Sequence, residues 1–148
     1  MSLHIPSETI FYQIERAIKV YRQYAALNIK AVHPDLTLDQ SLLLIYLKNH
    51  PGVMLSELAD LLFKDNASLT RMFDSMVNKG YLNKGANTQD RRKAAVSLSA
   101  HGEKVIESLT VIIRQNRQVA LQQISSDEES QLTLVLNKLI SNCKTQLL

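Results

Sequence analysis

The segment from Asn87 to Ser99 constrains the fold of this chain more than any other. Asn87-Thr88-Gln89-Asp90-Arg91-Arg92-Lys93 is a polar, cationic run. It leads into Ala94-Ala95-Val96-Ser97-Leu98, a short alternating strand pattern, and ends on Ser99, a helix-capping residue type. Upstream, Tyr81-Leu82-Asn83-Lys84 supplies a matching strand, so the whole predicts a β-hairpin with three consecutive basic residues near its turn. Immediately before it, Asn66 to Lys79 predicts a helix with a small, polar outer face. A helix with an adjacent basic hairpin is the equipment of a winged helix-turn-helix. In that arrangement the helix enters the DNA major groove and the hairpin, or wing, reaches the backbone or minor groove beside it.

Composition narrows the choice further. With 148 residues, 45% of them hydrophobic and 21% charged, the chain has the length and apolar content to bury a core, which argues against disorder. The net charge of +3 is mild, but its distribution is uneven. Between Lys79 and Lys93 there are five basic residues, Lys79, Lys84, Arg91, Arg92 and Lys93, against one acidic, Asp90. Such a patch beside a hairpin favours a polyanionic partner. A lone cysteine, Cys143, rules out an internal disulfide framework and a Cys-rich zinc site, and it reads as a small buried hydrophobe rather than a redox sensor. His4, His33, His50 and His101 lack metal-ligand spacing, so no metal and no cofactor is expected. No Gly-rich phosphate loop and no catalytic constellation is present, which argues against an enzyme. No apolar run is long enough for a membrane span, and the N-terminus lacks the regions of a signal peptide, so a cytoplasmic protein is expected.

A first helix capped by Ser7 runs to about Val32, with Phe11, Ile14, Ile18, Tyr21, Ala25 and Val32 stepping mostly by three and four. At roughly 25 residues it would be ~38 Å long, more than a small domain needs for its own core. Thr37-Leu38-Asp39-Gln40 is a capping box opening an almost wholly apolar helix to about Asn49. Ser56 to Phe63 is a short helix, and Lys64-Asp65-Asn66 is the turn, with Asp65 or Asn66 able to cap the next. That helix buries Leu69, Met72, Phe73, Met76 and Val77 and stops at Gly80. Ser99 caps a long helix through about Ile124, interrupted by the polar Asn116. Ser126-Asp127-Glu128-Glu129 reads as a second capping box, opening a last helix. The fold class expected is mainly α with a small β-hairpin. Residues 37–99 would form the winged helix-turn-helix, and residues 1–36 and 100–148 a helical dimerisation region, intertwined in one domain.

The order of these pieces resembles the multiple antibiotic resistance regulator family, MarR, over essentially the whole chain. The resemblance rests on Leu36-Thr37-Leu38-Asp39-Gln40, Pro51-Gly52, Glu57-Leu58-Ala59, Leu69-Thr70-Arg71-Met72-Phe73-Asp74, Lys79-Gly80-Tyr81-Leu82, and Asp90-Arg91-Arg92 through Val96-Ser97-Leu98-Ser99-Ala100-His101-Gly102. It implies a homodimeric winged-helix transcription regulator, often a repressor, that releases DNA when a small molecule or oxidant acts on it. The chain departs from the family in three places, the mildest being Ser99 where the family commonly has Thr, since either hydroxyl can cap. Met54-Leu55 stands where a hydroxyl usually caps the helix before the reading helix, and the N-terminal helix lacks the reactive cysteine of the oxidant-sensing branch.

The expected DNA contacts are Asn66, Ala67, Ser68, Thr70 and Arg71 on the reading helix 66–79, and Arg91, Arg92 and Lys93 on the wing 84–95. Small and hydroxylated residues allow close approach to bases, and arginine can reach a guanine edge or a phosphate. Asn66 and Ser68 lie where free helix N–H groups suit a phosphate. A bare carboxylate facing DNA is repelled, so Asp74 is expected to pair with Arg92 and fix the wing, while Asp90 shapes its turn. Arg91 is the candidate for the minor groove. Tyr12, Tyr21, Tyr24, His33 and Tyr46 would border a cleft for a small aromatic or anionic effector, although plain packing at an interface edge explains them as well. The partners expected are double-stranded DNA, a second copy of the chain and such an effector. The alternative is a winged-helix module whose basic wing binds an acidic protein.

Overall fold

A computed structural model describes residues 5–85, 92, 93 and 95–147. A turn of 3-10 helix at Pro6–Glu8 precedes α1 (Ile10–Val32). Thr9, not Ser7, caps α1: its hydroxyl accepts the Tyr12 N–H at 3.3 Å and donates to the Pro6 carbonyl at 2.8 Å. Pro6 fixes the short turn, and the chain must extend at Thr9 before the true helix begins. All of Ile10 to Val20 is exposed, whereas Ala25 and Ile29 are buried.

α2 (Leu38–Asn49) starts from the expected capping box, with the Gln40 N–H on the Thr37 hydroxyl at 3.1 Å and the Thr37 N–H on the Gln40 amide oxygen at 3.2 Å. α3 (Leu55–Leu61) begins one residue earlier than the sequence suggests and has no side-chain cap. The wing replaces it. Met54 forms an antiparallel bridge to Lys93, and the Leu55 N–H donates to the Arg92 carbonyl at 2.6 Å. One of the helix's orphan donors is thus satisfied by backbone 37 residues away in sequence.

α4 (Asn66–Asn78) is capped by Asp65. It ends in a Schellman turn: the Gly80 N–H bonds to the Val77 carbonyl and the Tyr81 N–H to that of Met76, both at 3.0 Å. Gly80 holds φ +83, the left-handed region that suits glycine. β1 (Leu82–Lys84) pairs antiparallel with β2 (Val96–Leu98), in the register Leu82↔Leu98, Asn83↔Ser97, Lys84↔Val96. Ser99 caps α5 (Ala100–Ala120): its hydroxyl accepts the Gly102 N–H at 3.0 Å and donates to the Gly80 carbonyl at 2.6 Å. α6 (Ser126–Leu147) follows. Its capping box is Ser125 with Glu128, one residue before the expected start, because the Glu128 carboxylate reaches the Ser125 N–H.

The chain divides into two compact units, Met1–Asn116 and Arg117–Leu148. The first unit has one core. Ile29, Leu36, Leu43, Leu44, Leu58, Leu69, Met76 and Leu109 are all wholly enclosed in it. The second half of α1 and the first turns of α5 therefore complete the same core as the helix-turn-helix. In the second unit α6 buries no residue and exposes Leu132, Leu134, Val135, Ile140 and Leu147. Cys143 is exposed too, contrary to the expected buried hydrophobe.

Asp39, in the first turn of α2, receives Arg22 from α1 on one carboxylate oxygen and Lys64, from the turn before α4, on the other at 2.9 Å. Burial alone would raise its carboxyl, but hydrogen bonds and charge from Lys64 and Arg22 prevail and hold it below the ordinary 3.8. A depressed carboxyl stabilises the fold above its unfolded value and loses that contribution as pH falls through the folded one. With partners partly open to solvent, screening keeps the contribution near about 1 kcal/mol. Asp39→Asn is expected to cost that much in urea unfolding at pH 7 and almost nothing at pH 2–3. An equal cost at both pH values would show that the charge is not responsible.

Candidate nucleic-acid interface

At about 100° per residue, the exposed side chains of α4 collect in one sector. Ala67, Thr70, Arg71, Asp74 and Asn78 are exposed together, opposite the buried Leu69, Phe73 and Met76. Asn78 was not anticipated, although its spacing of four from Asp74 and seven from Arg71 signals the same face. Thr70 donates its hydroxyl to the Asn66 carbonyl at 2.8 Å, so it offers a partner its methyl group and the two acceptor lone pairs of its oxygen. Arg71 lies along the helix with its guanidinium on the Ser68 hydroxyl at 3.0 Å.

The start of this helix differs from the expectation of free N–H groups. Asp65 accepts the Ser68 N–H at 2.6 Å. That bond, aided by the Ser68 hydroxyl, holds the Asp65 carboxyl below its ordinary value. The Ser68 N–H is therefore occupied by an intramolecular anion. Ser68 can assist DNA contact only through its hydroxyl and Arg71, and Asn66 stands exposed beside it.

Arg92 and Lys93 are exposed, and their backbone is tied to Met54 and Leu55 at the start of α3. Gly85, at φ +77, prolongs the hairpin with its N–H on the Ala95 carbonyl at 3.0 Å. Asp90 and Arg91 lie outside the described residues. Ion pairs among the described residues include Arg22–Asp39, Lys48–Glu103 and Lys64–Asp39.

Lys79, counted in the basic patch, is turned to structural use. Its ammonium donates to the Asp35 carbonyl and to the Gln40 side chain. Tyr81 donates to both oxygens of the Asp35 carboxylate at 2.9 Å and stacks on His101, with ring centres 4.7 Å apart. Burial, then the Asp35 carboxylate, pushes the Tyr81 hydroxyl up to about 12. This network locks the end of the reading helix and the base of the wing to the start of α2. Its partners are 46 residues apart along the chain, so no spacing signal announces it.

The five expected cleft residues have different surroundings. Tyr21 and Tyr46 are half-buried against the core, and Tyr46 stacks on His50. Tyr12 and Tyr24 are exposed, and His33 Nε2 lies 3.0 Å from Ser108 Oγ. Among the described residues none of the five stacks on another. No group of His, Cys, Asp or Glu there could hold a metal ion, and no helix is long and apolar enough to cross a membrane.

The MarR family model matches residues 36–94, from the start of α2 into the wing. The multiple antibiotic resistance protein MarR of Escherichia coli is 28% identical over 107 residues, 72% of this chain and 74% of that one. Among solved structures, a complex of MepR from S. aureus with DNA superposes with a TM-score of 0.80 at 23% identity, over 94% of this chain and 99% of that one. BpsR of Bordetella bronchiseptica, whose DNA binding is regulated by 6-hydroxynicotinic acid, gives a TM-score of 0.78 at 20% identity, over 92% and 96%.

Proposed function

We propose that this chain, whose residues 36–94 match the MarR family model, is a DNA-binding transcription regulator of that family and acts as a homodimeric, ligand-responsive repressor of a pseudo-palindromic operator. The observation that carries the reading is the exposed sector of α4, where Ala67, Thr70 and Arg71 lie together with no large apolar side chain among them. A module built to dock an acidic protein would expose apolar residues there. α4 would enter the major groove, with the wing 84–95 at the minor groove and Arg91, Arg92 and Lys93 as its cations. The two reading helices of a dimer would lie one DNA turn apart, ~34–36 Å.

Dimerisation would use the helical parts of 1–36 and 100–148. The exposed Phe11, Ile14 and Ile18 on α1 and Leu132, Val135 and Ile140 on α6 support this reading. The likeness to BpsR favours a small aromatic acid as effector, in a cleft bordered by residues drawn from Tyr12, Tyr21, Tyr24, His33 and Tyr46. A cytoplasmic location accompanies that role.

Arg71→Ala tests the reading helix directly. Arg71 is exposed and its described hydrogen bond goes only to Ser68, so the fold should be indifferent to its loss. Affinity for the operator is expected to fall by about 1–3 kcal/mol, roughly 5- to 150-fold, in fluorescence anisotropy. Unchanged affinity at several salt concentrations would remove Arg71 from the interface.

A further inference from the structure

The turn between α3 and α4 carries the same backbone motif as the end of α4, but with a different residue. The Phe63 N–H bonds to the Asp60 carbonyl at 3.2 Å and the Lys64 N–H to that of Ala59 at 2.9 Å, which is again a Schellman turn. At its left-handed position α4 has Gly80, whereas α3 has Phe63 at φ +54. A bulky side chain there is strained, and burial does not compensate it, because Phe63 is 93% exposed. Its neighbours face the protein: Leu62 is buried and Lys64 reaches Asp39. The chain thus holds an aromatic ring out into solvent, in an unfavourable backbone conformation, two residues before the cap of the reading helix.

In helix-turn-helix docking the first helix crosses the DNA backbone and the N-terminal residues of the second meet base edges. Phe63 lies on the turn between those two. The exposed carboxylates of Asp60 and Asp65 on either side make this a poor place for a phosphate. The uncharged feature of the major groove is the thymine C5-methyl group, which phenylalanine contacts well. We infer that Phe63 is a specificity-determining residue that packs against a thymine methyl at the edge of the half-site. This rests on the assignment of α4 as the reading helix.

The test uses the full chain with two variants, Phe63→Gly and Arg71→Ala, and anisotropy against three duplexes. These are the DNA upstream of the chain's own coding sequence, the same duplex with deoxyuridine in place of every thymine, and a scrambled duplex. Phe63→Gly relieves the backbone and removes no packing, so its melting temperature should hold or rise. It is expected to bind the upstream duplex roughly tenfold more weakly and the scrambled duplex unchanged. Removing the thymine methyls should then weaken wild type and leave Phe63→Gly almost unaffected. If Phe63→Gly binds like wild type while Arg71→Ala loses affinity, the inference is overturned and the reading helix stands. Equal losses for wild type and Phe63→Gly on the deoxyuridine duplex would also overturn it. If neither variant loses affinity, the assignment of α4 fails and the inference fails with it.

Discussion

Glutamate at both Ile14 and Ile18 is expected to leave a folded monomer that has lost the operator. Phe11, Ile14 and Ile18 are spaced three and four apart on one side of α1 and are 60%, 38% and 51% exposed in the single chain. None of them belongs to the core, whose share of α1 begins at Tyr21. Little internal packing is therefore lost, and far-UV circular dichroism should be unchanged. In a two-fold dimer each substitution occurs twice, so four carboxylates would have to be buried. Each costs several kcal/mol without a partner, enough to dissociate an interface of ordinary strength. Light scattering should then give one chain of 16.7 kDa. A monomer engages one half-site and about half of the phosphates, so affinity should fall at least ~10³-fold at physiological salt. A variant that stays dimeric with wild-type affinity would place the interface elsewhere.

Gly102→Ala should produce the largest loss of stability for the smallest chemical change. A Cβ on Gly102 would lie 2.2 Å from the Tyr81 carbonyl oxygen and 3.2 Å from its carbon. Both are backbone atoms, which cannot swing aside as a side-chain end can. That carbonyl also accepts the Ser99 N–H at 3.1 Å, and Ser99 caps α5. Moving the helix away would pull on its own cap, the stacked Tyr81 and the base of the wing together. Overpacking of this kind costs ~1–3 kcal/mol or more, against a gain of ~1 kcal/mol from alanine's helix propensity. Because the contact is so short, a net loss of about 3 kcal/mol is expected, or roughly 10 °C in melting temperature. A melting temperature within 2 °C of wild type would mean that α5 does not need this close approach.

What could be read from the sequence was what local chemistry decides. The Thr37–Gln40 capping box, the extent of α4 and its end at Gly80 each depend on residues a few positions apart, and the hairpin pairs two neighbouring strands, from Lys84↔Val96 out to Leu82↔Leu98. Where two local solutions compete, the sequence picks poorly. Ser7 and Thr9 can both cap α1, and Ser125 and Ser126 can both cap α6. The choice falls to Pro6 in one case and to the reach of Glu128 in the other. Contacts between distant segments were invisible: the wing backbone that caps α3, the Tyr81–Asp35 bond, and the diversion of Lys79 from the basic patch. The polar sector of α4 was legible because its period is helical. The occupancy of its N-terminus by Asp65 was open, since Asp65 and Asn66 were equally able to cap it.

The central claim, that this chain reads a DNA sequence through α4, is tested most directly by wild-type anisotropy against the upstream duplex and a scrambled one, at low and at physiological salt. The account predicts tighter binding to the upstream duplex, with a preference that persists at physiological salt while the scrambled duplex is released. Equal affinity for both duplexes, vanishing together as salt rises, would contradict it and reduce the interface to charge alone.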